Sequence, residues 1–498
     1  MSHYVAWSKR AAVATEEPHA STVAADIIRG GGNAVDAAIA ASFALAVTIP
    51  HLGGLGGDFF ALVKVPTDGV YFVNGSGYSP AGLEAERGHR LRGPEAITVP
   101  GMVAGLYKLW KVLGSLDWAE LVSPAVRLAR DGFPASRTFA EGIKAAEGKL
   151  AADPGSRQTY LVAEVVEGSL IRFPRLAKAL ELIAEDPRSF YEGDIAEAMA
   201  EYASSRGSPL NLDDLRSYDA EKGHPLITTY RGWVIYEMPP NTQGATALHI
   251  LKLLDGLEPP KNPLGRERVK AVLEAARPAY AWRDLNLGDP RYMRVAVAEL
   301  LSKRVLEEIR RLGNVPGAGG VGDTTYFAVA TADGYLVSAI QSLYHPFGSG
   351  VTEPRYQITL NDRGSCFDPR PGLPNSVGPR KKPLHTLSAI IMGDGRAWYA
   401  LGASGGHLRP QQHAVFVTNI VDYGMRFDEA INASRFAWNP ETGELLVEEG
   451  VEPAMLPWVK GVRRVRRVGV ANAAALLGKV VGASTDKRGV GVPAVAAG

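Results

Sequence analysis

Two short stretches hold residues that could do chemistry. Residues 317–329 read GAGGVGDTTYFAV. The run from Gly317 to Gly322, followed by Asp323 and Thr324, has the outline of a phosphate-binding loop, G-x-x-x-x-G-K-[ST], with Asp in place of Lys. Such a loop follows a strand, opens a helix and uses its Lys to neutralise phosphate charge. Here a helical pattern precedes the glycines, a β-forming run follows them, and Asp323 would repel a phosphate. The other reading is a glycine loop that delivers the Thr324 hydroxyl to the start of a strand. The second stretch, residues 398–416, reads WYALGASGGHLRPQQHAVF. Gly402-Ala403-Ser404-Gly405-Gly406 fits the nucleophile elbow G-x-S-x-G. That fold class needs a later acid and then a histidine, but His413 is the last histidine in the chain and lies on the helix the elbow would open. The triad therefore cannot be completed. What remains is a pair of glycines ahead of a helix with Pro410 near its first turn. The outward N–H groups of such a terminus can hold an oxyanion.

The elements that must position these groups follow from periodicity. TTYFAVAT (324–331) and YLVSAIQSL (335–343) read as strands, and Asp333-Gly334 as a two-residue turn between them. That register pairs 332 with 335 and 324 with 343, and it brings Ser342 and Tyr344 beside Thr324. Upstream, helical spacing covers residues 19–29 and 33–47, the second apolar on most sides and so expected to be buried. GGLGGD (53–58) opens a strand, FFALVKV. Amphipathic helices are expected within 106–130 and 175–206, a strand at 230–236, a Pro/Gly turn feeding a helix at 238–256, and helices at 266–282 and 295–312. RRVRR (463–467) alternates with valine and reads as the solvated face of an edge strand.

The whole chain bounds the possibilities. It has 498 residues, 46% hydrophobic and 21% charged, with a formal net charge of +1. Neither a nucleic-acid footprint nor attraction to an anionic membrane is expected from that balance. The single cysteine, Cys366, excludes an intrachain disulfide and a thiolate cluster. Ten histidines show no HExxH spacing, so His385, His407 and His413 read as polar or packing residues before metal ligands. The N-terminal stretch carries charges throughout, and the apolar run 37–50 is too short to span a bilayer. A cytoplasmic protein is the expectation.

The segments NAVDAAIAASFALAVTIPHLGGLGGDFF, VPGMVAGL, LARDGF, PPNTQG, LGDPRY, GDTT, FGSGV, KPLHTLS, GASGG, VDYGM and GASTDKRGVGVPA resemble, in order and over nearly the whole chain, those of the γ-glutamyltransferase family. The resemblance implies an N-terminal-nucleophile hydrolase fold, an α/β (α+β) architecture of four layers, αββα. It implies self-cleavage at Asp323–Thr324 into a large part, 1–323, and a small part, 324–498. The two parts would stay associated as one αββα unit, without a cofactor or metal. Thr324 would then be the nucleophile, its freed α-amine (reference pKa about 7.7–8.0) the base, Ser342 its hydrogen-bonding neighbour, and Thr325 a second supporting threonine. Gly405 and Gly406 would form the oxyanion hole.

Departures from the family pattern bear on the substrate. Ser76 stands where an Arg holds a substrate α-carboxylate, and Cys366 where an Asp holds the α-amino group. Tyr344 replaces an Asn, and His385-Thr386 replaces a Ser-Ser pair. Both charged anchors of a glutamyl head are absent. NDRGSCF, KPLHTLS and GGHLRPQQHAV look closer to a branch that includes oxamate amidohydrolases, which makes Arg363 the candidate carboxylate ligand. The reading is an amidohydrolase for a small carboxylate-bearing amide. The alternatives are a γ-glutamyl hydrolase or transpeptidase acting on glutathione-like compounds, and an inactive binding protein. Homo-oligomer formation stays open.

Overall fold

The computed structural model describes residues 5–67, 69–85, 88–312 and 323–497. The glycine-rich run 317–322 lies outside them, as does the side chain of Asp323. Strands with strict two-residue alternation build two seven-stranded antiparallel sheets stacked face to face. The first sheet runs Ala494–Ala496, Ala11–Ala14, Asp323–Thr331, Leu336–Tyr344, Asp58–Lys64, Val70–Gly75, Glu221–Gly223. The second runs Val5–Ser8, Val480–Thr485, Ala471–Leu477, Ala397–Ala403, Ile390–Gly393, Trp233–Glu237, Leu226–Tyr230.

Alternation decides which face each residue takes. Tyr326, Ala328 and Ala330 point into the layer between the sheets, where they meet Ala389, Ala400, Ala474 and Ala483. Phe327 and Val329 point the other way, into a core shared with helices Pro18–Arg29, Ala34–Thr48 and Trp118–Asp131. A separate core packs the outer face of the second sheet against helices Gly244–Leu254, Arg266–Asn286 and Arg409–Val421. Each large apolar side chain buried this way contributes about 1.5–3 kcal/mol. The result is helix, sheet, sheet, helix, the four-layer αββα architecture expected. Helix Ala34–Thr48 is buried on every side, and Asn33 with Asp36 caps its start.

Three expectations need correction. The hairpin loop has three residues, not two: Thr331 N–H donates to Tyr335 O at 3.0 Å, and Ala330 pairs with Leu336. The register therefore shifts by one. Thr325 pairs with Gln341, and an irregularity at Thr324 then sets Asp323 opposite Tyr344. The span 230–236 is not one strand but the ends of two, Leu226–Tyr230 and Trp233–Glu237. Arg231 and Gly232, both at positive φ (44° and 88°), turn between them. Within 295–312 the α-helix is Lys303–Arg311, capped by the Ser302 hydroxyl. The arginine-rich segment does form an edge strand, Gly461–Arg464, on a small three-stranded sheet, with an exposed face.

Candidate active site

Thr324 enters the first sheet at the mouth of the intersheet layer and is 1% exposed. Its Oγ1 donates to Ser342 Oγ at 3.3 Å. The one-residue register shift is what sets these two hydroxyls face to face. Ser342 Oγ also accepts the Tyr344 N–H at 2.8 Å. That turn holds Tyr344 at φ 83°, in the left-handed region that bulky residues rarely adopt. The Tyr344 ring in turn stacks on the Arg363 guanidinium, whose carbon lies 4.6 Å from the ring centre.

Arg363 belongs to a fully buried charge cluster. Its Nε donates to Asp58 Oδ2 at 3.2 Å, and its Nη1 to Thr386 Oγ1 at 3.0 Å. Its Nη2 has no hydrogen-bond partner among the described residues. His385 Nε2 donates to the same Asp58 oxygen at 2.9 Å, while His385 Nδ1 accepts the Leu387 N–H at 3.1 Å. Burial, reinforced by Arg363, pushes His385 down to about 3, so the ring is neutral with its proton on Nε2. Ser76 lies one residue before Gly77, whose amide reaches Asp58 Oδ1 at 3.2 Å. Its hydroxyl is held by Asn241 Nδ2 at 2.9 Å. Cys366 approaches Arg363 Nη1 at 3.6 Å, and burial pushes its thiol pKa up. A cleft whose wall includes Arg90, Asp284, Cys366, Asp368, Asn375 and His407 borders this cluster at Cys366.

The glycine pair ends strand Ala397–Ala403. Gly405 sits at φ 132° and Gly406 at φ 55°, and a β-carbon on Gly405 would press on Gln412 at 3.1 Å. Among the described residues neither glycine amide donates a hydrogen bond, which leaves both N–H groups able to receive a developing oxyanion. Pro410 stands in the first turn of the helix that follows. The rejected elbow serine is structural: Ser404 Oγ accepts the Val470 N–H at 2.9 Å. His413 lies elsewhere, its Nδ1 2.5 Å from Glu237 Oε1.

Thr325 is not brought to this site. Strand alternation turns it to the opposite face, against Gly53 and beside Gln341, where its hydroxyl is unpaired among the described residues. The expected supporting role does not fit that placement. Sequence reasoning also passed over Asp58, which joins Arg363 to His385. Its signal was an acid at the head of an otherwise apolar strand.

Comparisons with known proteins agree with this architecture. The gamma-glutamyltranspeptidase family profile matches residues 20–496. The chain is 37% identical over 446 residues to the glutathione hydrolase-like YwrD proenzyme of Bacillus subtilis, covering 86% of this chain and 85% of that one. It is 34% identical over 467 residues to the oxamate amidohydrolase proenzyme of Klebsiella pneumoniae, covering 88% of each. Among solved structures, a cephalosporin acylase from Bacillus halodurans superposes with a TM-score of 0.90 at 29% identity, over 100% of this chain and 98% of that one. The chain belongs to the gamma-glutamyltranspeptidase family of N-terminal-nucleophile hydrolases.

Proposed function

We propose that the protein is a self-processing threonine amidohydrolase acting on a small amide that carries a carboxylate. The observation that carries this reading is the Thr324 hydroxyl seated against Ser342 Oγ at a strand start, with two glycine amides that donate no hydrogen bond among the described residues just past the end of a strand of the other sheet. In the first reaction Thr324 Oγ attacks the Asp323 carbonyl carbon. The peptide C–N bond breaks, an ester forms, and water hydrolyses it to free the Asp323 carboxylate and the Thr324 α-amine. That amine then takes the proton of its own hydroxyl. Oγ attacks the substrate amide, and the Gly405 and Gly406 N–H groups receive the oxyanion. The leaving amine departs with the proton, and water resolves the acyl-enzyme.

Arg363 supports the acid end of the substrate. It is a buried guanidinium with one N–H edge unused among the described residues, and such an edge suits a carboxylate oxygen. Thr386 and Tyr344 hold its plane. A second reading, γ-glutamyl hydrolysis, draws support from relatives named glutathione hydrolases. An assay panel of oxamate, related short acid amides and a γ-glutamyl anilide separates the two. The proposal expects turnover of a short acid amide and a KM raised about tenfold by Arg363→Lys, which keeps the charge but loses the fork. Dominant γ-glutamyl turnover, indifferent to Arg363→Lys, would overturn the substrate assignment.

A further inference from the structure

We propose that His407 is a substrate-contacting residue: fixed by Arg283 as the Nε2–H tautomer, it donates a hydrogen bond to an acceptor oxygen of a small acid in the cleft. This rests on the amidohydrolase reading for the site's purpose, but not for the geometry.

Arg283 Nη1 lies 3.1 Å from His407 Nδ1. A guanidinium can only donate, so Nδ1 must be the acceptor, and the ring proton of the neutral imidazole must sit on Nε2. The second Nη1 proton goes to Gln243 Oε1 at 3.0 Å. Arg283 is itself fixed: it is 0% exposed, Nη2 meets Asp284 Oδ1 at 2.7 Å, and its plane lies over Tyr280 at 4.5 Å. The orientation of His407 is thus set from behind by a braced group. Nε2 forms no hydrogen bond among the described residues, and the ring is part of a cleft wall that also holds Arg90, Cys366 and Asn375. Two carboxylates share that wall, Asp284 and Asp368, each paired with an arginine, Arg283 and Arg370.

Two further observations support the assignment. His407 directly follows the glycine pair proposed to hold a substrate carbonyl. Gln243 ties these parts together, since its Nε2 donates to Gly406 O and to Thr386 O, both at 2.9 Å. Arg283 and Gln243 precede Thr324 in the chain and His407 follows it, so the brace crosses the cleavage point. Burial and the neighbouring Arg283, Arg90, Arg363 and Arg409 hold His407 well below its ordinary pKa, which keeps it a neutral donor and leaves the positive charge to the arginines.

The test uses the full-length, self-cleaved protein with histidine labelled in 15N, the His407 signals being assigned by their loss in His407→Gln. Oxalate, malonate and succinate serve as probes. The expected spectrum shows a neutral Nε2–H ring whose Nε2 proton moves on adding at least one diacid. His407→Phe should weaken that diacid about tenfold, while His407→Gln, which offers an amide N–H in its place, holds affinity within about threefold. With an amide that the wild type hydrolyses, His407→Phe should raise KM more than it lowers kcat. An Nδ1–H ring, an imidazolium, or a diacid that binds without moving the Nε2 proton would overturn the inference. So would failure of all three diacids to bind protein that still cleaves itself and hydrolyses an amide, which would leave the threonine reading standing.

Discussion

At the scale of single residues, the Ser342 hydroxyl is the most informative neighbour of Thr324. It accepts from both the Thr324 Oγ1 and the Tyr344 amide. Ser342→Ala removes the acceptor of the Thr324 hydroxyl, the proposed attacking group. Steady-state kinetics should show kcat lowered about tenfold with KM within about twofold, and Ser342→Thr should restore most of it. Spacing alone singled out Thr324, Ser342 and the glycine pair as candidates and the resemblance gave them roles; the structure brings the Thr324 and Ser342 hydroxyls within 3.3 Å. Thr325 took its expected supporting role from the resemblance, whereas the two-residue period of a strand turns its side chain to the opposite face. Asp58, Gln243 and Arg283 were not legible as site residues. Their contacts to Arg363, Thr386 and His407 join positions more than a hundred residues apart, and no local pattern encodes such a meeting.

At the scale of elements, the strand that carries Thr324 and strand Ala397–Ala403, which leads to Gly405, are coupled through Tyr326. The Tyr326 ring occupies the space over Gly402, where an added β-carbon would lie 2.3 Å from a ring carbon. Its hydroxyl is 2.7 Å from Ser338 Oγ, and its carbonyl accepts Asn472 Nδ2 at 2.7 Å. Gly402→Ala must push the ring or the sheets apart. Urea unfolding should show a loss of about 1–3 kcal/mol, with amide turnover falling further than stability alone explains, because Thr324 and the proposed oxyanion donors Gly405 and Gly406 would separate. The hairpin was legible, but its loop length was not. Ala332-Asp333-Gly334 supports either a two- or a three-residue loop, and one residue moves Thr324 from facing Leu343 to facing Ser342.

At the scale of the whole molecule, the first sheet interleaves strands from before and after Thr324. Asp323–Thr331 lies between Ala11–Ala14 and Leu336–Tyr344, and the latter pairs with Asp58–Lys64. A cut at Asp323–Thr324 leaves both ladders intact, so the two parts should elute as one species in size-exclusion chromatography and part only in denaturant. The same interior sets the acid limit of the fold. Burial holds His51 at about 3, His249 at about 4 and His385 at about 3. The unfolded chain binds protons at the ordinary value near 6.5 that the folded chain refuses. Stability is thus complete above about pH 6.5 and falls as pH drops toward the folded values. One unit below 6.5, the three rings together should cost about 4 kcal/mol, measurable as a lower urea midpoint. The layer order came from the resemblance, since apolar periodicity alone gave a mixed α/β chain without an arrangement. The exact pairing of distant strands was not, since each short alternating run fits several neighbours.

The most direct test of the account is intact-mass spectrometry with N-terminal sequencing of the purified protein beside its Thr324→Ala variant. Self-cleavage predicts two chains in the wild type, one ending at Asp323 and one beginning with Thr324, and a single unbroken, inactive chain in the variant. An uncut wild-type chain that hydrolyses an amide as well with alanine at 324 as with threonine would contradict it.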